Sequence, residues 1–210
     1  MDDEFLENIL SNEWDEYADS WDVDPSVEDY AKKAFLELVN NVNISGLSVL
    51  DFGCGTGALT KLISPNVDSI VAIDPSSAMI KCLDKKALNN VLSVSDYLSE
   101  DLIRKRPELK GQFDLIVASS VCSFLPDYEA TLSLLKSLLK ENGVFVQWDW
   151  QSNDDSSGMG LSPKRVKQAF EANNFVNTTI TSPFIMSSSK GDMPVLMAIG
   201  KNAVQGTKRA

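Results

Sequence analysis

The chain contains no histidine. That absence removes every mechanism built on an internal imidazole base, including Ser-His-Asp and Cys-His arrangements. Cysteine is scarce as well: Cys54, Cys82 and Cys122 are too few and too scattered for a disulfide framework or a zinc site. Cytosolic thiols are the simpler reading. No apolar run approaches the roughly 18 residues of a membrane span. The opening Met1-Asp2-Asp3-Glu4 is acidic where a signal peptide is basic, and no cleavable apolar core follows. A cytoplasmic protein without membrane association is expected. Positive charge is also short: 19 Lys and Arg against 30 Asp and Glu leave a net charge of −11. Such a chain repels phosphate backbones and anionic lipid, so no nucleic-acid partner is expected. Its small basic clusters, Lys85-Lys86 and Arg104-Lys105-Arg106, read as solvated helix faces. There is no internal repeat and no low-complexity tract. Two matches to the N-glycosylation pattern, at Asn43 and Asn177, mean little without a leader.

What is present is an ordinary globular composition: 210 residues, 43% of them hydrophobic, enough for one well-filled α/β domain. The first ~40 residues read as helical and aromatic. Val27, Tyr30, Ala31, Ala34, Phe35 and Leu38 share one helical face after a Pro25-Ser26 start, and Trp14, Tyr17 and Trp21 precede it. From Ser48 short apolar runs alternate with helical stretches. Strands are expected at Ser48–Phe52, Ser69–Ile73, Val91–Ser95, Phe113–Ala118 and Val144–Trp148. Helices are expected near Ala58–Ile63, Ala78–Ala87, Glu100–Arg104 and Glu129–Lys140, the last ended by Asn142-Gly143 as a C-cap. Such alternation argues for a parallel sheet covered on both faces. After a helix from Ser162-Pro163 to about Asn173, two runs follow with no helix between them, Phe175–Thr181 and Val195–Ile199, and these should pair antiparallel.

The turn Asp51-Phe52-Gly53-Cys54-Gly55-Thr56-Gly57 carries the first chemical signal. A strand running into Gly-x-Gly-x-Gly and then a helix brings backbone close to a ligand. Gly53, Gly55 and Ala58 also satisfy a relaxed dinucleotide fingerprint, so the glycines alone do not discriminate. Asp51 does. Dinucleotide folds usually carry an apolar residue there, and a buried carboxylate is costly unless cations or donors compensate it. A ligand with an ammonium and a sulfonium would compensate it; a pyrophosphate would be repelled. Otherwise Asp51 caps the turn through the turn's own amides. Asp74, 23 residues on, is placed to accept from two ribose hydroxyls, or to N-cap the helix after Pro75, and the two roles are compatible.

Taken in order, these segments resemble the motifs of class I S-adenosylmethionine-dependent methyltransferases of the small-molecule type. Val49 to Gly57 looks like the first motif, Ile73-Asp74-Pro75-Ser76-Ser77-Ala78-Met79 the second, and Ser95-Asp96-Tyr97 the adenine-binding segment. Phe113 to Ser119 resembles the fourth-strand motif, and Glu141-Asn142-Gly143-Val144 the lead-in to the fifth strand. The resemblance implies a Rossmann-like, doubly wound α/β fold. Its seven-stranded sheet would be mostly parallel with one antiparallel strand, in the order 3-2-1-4-5-7-6, with helices on both faces and an N-terminal helical cap. It implies S-adenosylmethionine as cofactor. Asp51 and the Gly53 and Gly55 backbone would hold the methionine end. Asp74 would bind the ribose, and Pro75 and Met79 would flank the adenine. Asp96 would accept from the adenine amino group beside Tyr97, and Ser119 would line the methionine side. Met79 has core packing as its other reading, and Asp96 a turn.

Methyl transfer from a sulfonium is an in-line displacement, so alignment is the protein's main task and a metal is not required. Any base must be Asp, Glu, Lys, Tyr or water. Asp149, in Gln147-Trp148-Asp149-Trp150 at the end of the fifth strand, is the first candidate. Trp148 beside it would stack on a cationic or aromatic acceptor; otherwise Trp148 is core and Asp149 starts a solvated loop. Trp14 and Tyr17 belong to a segment similar to the family's N-terminal lid, or pack against the sheet. The expected organisation is a helical cap over 1–44, a cofactor-binding domain over 45–203 and a tail over 204–210. A small-molecule acceptor, methylated on oxygen or nitrogen, is expected. The segment Ser119-Ser120-Val121-Cys122 lacks the motifs of nucleic-acid base methyltransferases. Two other readings stand beside this one: a regulatory module that binds S-adenosylmethionine without turnover, and an NAD(P)-dependent oxidoreductase. Against the oxidoreductase stand Asp51 and the absence of any Tyr-x-x-x-Lys.

Overall fold

In a computed structural model that describes residues 14–153, 160–188 and 191–202, an Asp-Pro pair starts the first long helix. The first 13 residues of the expected cap and the expected tail over 204–210 lie outside the described residues. Asp24 accepts from Ser26 N at 2.8 Å and Pro25 takes the first helical position, where its missing N–H costs nothing. The resulting α1 (Pro25–Asn41) buries Tyr30, Ala31, Ala34 and Leu38, with Val27 and Phe35 half-buried beside them. Before it, residues 14–21 form a shorter helical segment.

Seven strands follow, in the order β3-β2-β1-β4-β5-β7-β6. The chain divides into two compact units between Leu102 and Ile103. The first holds β1 (Ser48–Phe52), α2 (Ala58–Ile63), β2 (Ser69–Asp74), α3 (Ser77–Asp84) and β3 (Val91–Ser95). β1 pairs parallel with β2, Ser48 opposite Ser69 through Phe52 opposite Ile73, and β2 pairs parallel with β3. Val49, Leu50, Asp51 and Phe52 are all buried, the continuous burial of a strand covered on both faces.

Helix α4 (Glu100–Lys105) lies at the division. The second unit holds β4 (Phe113–Ser119), α5 (Tyr128–Leu138), β5 (Leu139–Trp150), α6 (Pro163–Ala172), β6 (Phe175–Ser188) and β7 (Gly191–Asn202). β5 runs parallel to β4, and β7 is antiparallel to both β5 and β6. So β7 is the single reversed strand of this unit. Phe145, Phe170 and Phe175 form the aromatic centre of this unit, with ring centroids 5.0 to 5.8 Å apart. Such pairs contribute ~0.5–1.5 kcal/mol beyond area burial.

Several boundaries differ from expectation: α3 ends at Asp84, not Ala87, and β5 runs Leu139–Trp150, beyond Val144–Trp148 at both ends. Helix α5 stops at Leu138, not Lys140, and Asn142-Gly143 is not its C-cap: the cap is Leu139, already extended at φ −73, ψ 140. Asn142, at φ 63, instead makes an irregular step inside β5, where the β4–β5 register shifts between Phe113 and Leu115. The terminal strands run past Thr181 and begin before Val195. Pro183 falls where the β6–β7 register shifts on an edge strand, the position a sheet tolerates.

Candidate functional site

The glycine turn after β1 is built from three left-handed residues, Gly53 at φ 68, Gly55 at φ 53 and Gly57 at φ 82. The amides of Gly53 and Cys54 both donate to the Ile73 carbonyl, at 2.9 and 3.1 Å, which ties the turn to the end of β2. The two later glycines are required for different reasons. A Cβ on Gly57 would lie 2.3 Å from Leu83 Cδ1, so the core of α3 demands glycine there. A Cβ on Gly55 would meet nothing within 4 Å. The space beside Gly55 is therefore open, as a closely approaching ligand needs.

Asp51 is 1% exposed, and its Oδ2 accepts from Thr60 Oγ1 at 2.6 Å. The Gly53 and Cys54 amides go to the Ile73 carbonyl, Gly55 N to Asp74 and Gly57 N to the Cys54 carbonyl, so Asp51 caps none of these four. Burial raises the Asp51 carboxyl to about 6, with the Thr60 hydroxyl pulling it down and the charge of Asp74 pushing it up. Asp74 ends β2, 9% exposed. Its Oδ2 accepts from Gly55 N and its Oδ1 from Ser76 N, both at 2.9 Å. Burial raises its pKa, while these two amides lower it. A carboxylate has about four lone-pair sites, so about two remain on Asp74 for hydroxyl donors. The N-cap of α3 is Ser76, which accepts from Met79 N at 3.1 Å. Met79 is 2% exposed and packs into the core; Pro75 beside it is half-buried. After β3, Asp96 is exposed and accepts from Tyr97 N at 2.8 Å, and Tyr97 is half-buried.

Sequence reasoning missed four partners in this unit. Thr60 holds Asp51 from one turn into α2, and Ser76 orients Asp74. The buried Thr56 Oγ1, inside the glycine turn, has no hydrogen-bond partner among the described residues. Asp15, from the leading helical segment, accepts from Ser76 Oγ at 2.5 Å and from Ala78 N at 3.1 Å. The segment's own Trp14 packs edge-on against Trp21 at 5.7 Å and tilted against Tyr17 at 6.2 Å, while Tyr17 stays 55% exposed.

In the second unit, β4 ends at the half-buried Ser119 and the chain turns sharply: Ser120 adopts φ 56 and donates its amide to Trp148 O at 2.7 Å. A left-handed serine is a strained conformation, here at the strand end where ligands of open α/β sheets bind. Asp149 does not start a solvated loop. It lies inside β5 and is fully buried. Its Oδ1 accepts from Ser123 N at 3.0 Å and its Oδ2 from Gln147 Nε2 at 3.1 Å. Gln147 Oε1 in turn accepts from the Tyr128 hydroxyl at 2.7 Å. Burial raises the Asp149 carboxyl to about 7, opposed by the Ser123 amide. Trp148 projects to the opposite side of the strand, fully buried, as its packing reading has it; its Nε1 finds no partner among the described residues. Cys122 is buried and burial drives its thiol upward, so it is not poised as a nucleophile. Among the described residues no cluster of three or more metal-ligating side chains forms, and no helix is long and apolar enough to cross a membrane.

A family profile described as a methyltransferase domain matches residues 26–179. A malonyl-[acyl-carrier protein] O-methyltransferase from Halalkalibacterium halodurans is 35% identical over 103 residues, covering 47% of this chain and 37% of that protein. A ubiquinone biosynthesis O-methyltransferase from Bradyrhizobium diazoefficiens is 30% identical over 121 residues, 57% of this chain and 47% of the relative. The chain thus spans less than half the length of these curated relatives. In solved structures, the DhpI–SAH complex superposes with a TM-score of 0.72 at 20% identity, covering 94% of this chain and 97% of that one. The matched stretch begins in α1, contains the glycine turn, Asp74 and Asp149, and ends in β6, so this chain belongs to the methyltransferase domain family.

Proposed function

We propose that this methyltransferase domain is an enzyme that transfers the methyl group of S-adenosylmethionine to oxygen or nitrogen of a small-molecule acceptor. The observation that carries the reading is the pairing at the glycine turn. Asp74, with about two lone-pair sites left over, binds Gly55 N beside open space, and a second buried carboxylate, Asp51, stands at the start of the same turn. The cofactor's chemical features match these groups. An ammonium and a sulfonium compensate Asp51, ribose hydroxyls complete Asp74, and the orphaned Thr56 hydroxyl lies in the same turn. When bound, S-adenosylmethionine supplies a methyl group already activated on a sulfonium for in-line displacement.

The chain's own residues then have separate tasks. Asp51 and the Gly53–Gly55 backbone hold the methionine end, and Asp74 fixes the ribose. Pro75 and Met79 form the wall for the adenine, with Asp96 and Tyr97 at its edge and Ser119 on the methionine side. Asp149 is the base for an acceptor that must lose a proton. Its carboxyl, raised to about 7, titrates near neutrality, where a general base works best. Gln147 and the Ser123 amide hold it in one orientation. Trp14 and Tyr17 belong to the cap segment that precedes the cofactor-binding domain at 45–203. A small acceptor is supported by the names of the two O-methyltransferase relatives and by the net charge of −11, which disfavours nucleic acid. A cytoplasmic location belongs to the same proposal and rests on three free thiols.

Calorimetry with S-adenosylhomocysteine and, separately, NADH tests the cofactor. Tight binding of S-adenosylhomocysteine and none of NADH is expected, and the reverse result rejects the proposal. Turnover of S-adenosylmethionine against a panel of phenols, carboxylates and amines tests the activity. Binding without turnover of any acceptor would make the domain a regulatory module.

A further inference from the structure

The helical segment at 14–21, with Asp22 just after it, is fastened at the start of α3 and just beyond its end. At one end Asp15 Oδ1 takes two hydrogen bonds, from Ser76 Oγ at 2.5 Å and from Ala78 N at 3.1 Å. At the other, Asp22 pairs with Lys86. Between them Ala18 is 1% exposed, so the segment is seated on the unit and not merely tethered to it.

The fastening at Asp15 is not independent of the glycine turn. Ser76 is fully buried and serves three neighbours at once. Its Oγ donates to Asp15 and accepts from Met79 N, and its amide donates to Asp74 Oδ1. Asp74 uses its other oxygen for Gly55 N. A continuous chain of hydrogen bonds thus runs Gly55, Asp74, Ser76, Asp15, from the turn to the segment. A buried hydroxyl must keep its partners, so if Asp15 departs, Ser76 Oγ has to find another acceptor and the start of α3 loosens. The charge of Asp15 also bears on Asp74 directly, holding the two carboxylates in one electrostatic neighbourhood.

We propose that Asp15 is a positioning residue for the cofactor: through Ser76 it couples the seating of the 14–21 segment to occupancy of Asp74. The proposal rests on Asp74 as the ribose ligand. Coupling of this kind is reciprocal: a ligand that orders Asp74 steadies the segment, and a seated segment tightens the ligand.

The test compares wild type with Asp15→Ala and Asp15→Asn. Two quantities are read, the affinity for S-adenosylhomocysteine by calorimetry and hydrogen exchange of the amides of residues 14–22 with and without that ligand. In wild type, S-adenosylhomocysteine slows exchange in the segment. Asp15→Ala is expected to weaken binding about tenfold, within the usual range of coupling, and to leave exchange fast whether or not the ligand is present. Asp15→Asn keeps an oxygen able to accept both bonds and is expected to stay within about threefold of wild type, with exchange protection restored. A purely structural role would not produce ligand-dependent protection that Asn rescues. Affinity unchanged in Asp15→Ala, or Asp15→Asn as weak as Asp15→Ala, overturns the proposal while leaving the cofactor reading intact. If wild type itself fails to bind S-adenosylhomocysteine, the cofactor reading is what fails, and the proposal falls with it. Should Asp15→Ala not fold, Lys86→Gln releases the far end of the segment without touching the start of α3. Faster exchange over 14–22 and weaker binding by about threefold are then expected, and unchanged values overturn the coupling.

Discussion

Thr60 donates its hydroxyl to the buried carboxylate of Asp51 at 2.6 Å, so the residue after the glycine turn stabilises the charge of the residue before it. Burial alone would push Asp51 further up; Thr60 holds it at about 6. A cationic ligand end needs that carboxyl ionised. Affinity for S-adenosylhomocysteine should therefore be level above about pH 6 and fall below it, by up to tenfold per pH unit. Asp51→Asn should weaken binding at neutral pH and flatten much of the profile. Thr60→Val should move the fall to higher pH. Calorimetry across pH 5 to 8 reads all three, and a profile identical in wild type and Asp51→Asn would remove Asp51 from the site.

The glycines of the turn should separate binding from folding. Gly55→Ala places a methyl group into open space at φ 53, at a cost of ~1–2 kcal/mol for the left-handed backbone. It should fold and lose most of its affinity for S-adenosylhomocysteine. Gly57→Ala meets Leu83 Cδ1 at 2.3 Å as well as an unfavourable φ of 82, and should lose stability by more than Gly55→Ala does. Thermal denaturation and calorimetry on the pair check this. Equal loss of affinity at equal stability would contradict the division of labour.

Much of this architecture is legible in the sequence because it is written in local patterns. Ser48–Phe52, Val91–Ser95 and Ala58–Ile63 form with the expected bounds because each is a short run flanked by turn residues; burial is continuous only in the first, from Val49 to Phe52, while Val91–Ser95 buries Val94 alone. Asp51 and Asp74 stand out because a carboxylate at the end of an apolar strand is a local anomaly. What the sequence conceals is pairing over distance. Asp15 reaches Ser76 across 61 positions, and no periodicity announces that contact. Asp149 looks like the start of a loop because Gln147 and Asp149 are polar, yet Tyr128 and the Ser123 amide supply the partners that let both be buried. Pro183 hides the length of β6 because a proline is harmless on an edge strand whose register already shifts there.

Asp74 should be the strongest single contact to the cofactor. Asp74→Ala is expected to weaken S-adenosylhomocysteine binding by ~1–3 kcal/mol through lost charge-assisted bonds. It also strands the Gly55 and Ser76 amides, so a modest fall in melting temperature should accompany it. Asp74→Asn keeps an acceptor for one of those amides. It should recover part of the stability and little of the affinity. Affinity unchanged in Asp74→Ala would contradict the ribose assignment.

Asp149 should make stability fall as pH rises. Its carboxyl titrates at about 7 in the folded chain against an ordinary value of 3.8, so the folded state holds the proton more tightly. The stabilisation is complete below about pH 4 and is lost as pH climbs through 7, at roughly 1 kcal/mol per unit crossed. Asn cannot ionise, so Asp149→Asn should flatten this dependence and gain on wild type between about pH 5 and 8. The network tolerates the change if Gln147 turns its amide over, since the Tyr128 hydroxyl can accept as well as donate. Turnover should move the other way. With Asp149 as base, wild-type kcat/KM rises through about pH 7, whereas Asp149→Asn is slow at every pH and binds S-adenosylhomocysteine as before. Denaturation curves and pH–rate profiles on the same two proteins separate the roles: flattened stability with undiminished turnover leaves Asp149 a buried support for the loop at Ser123 and assigns the proton to water.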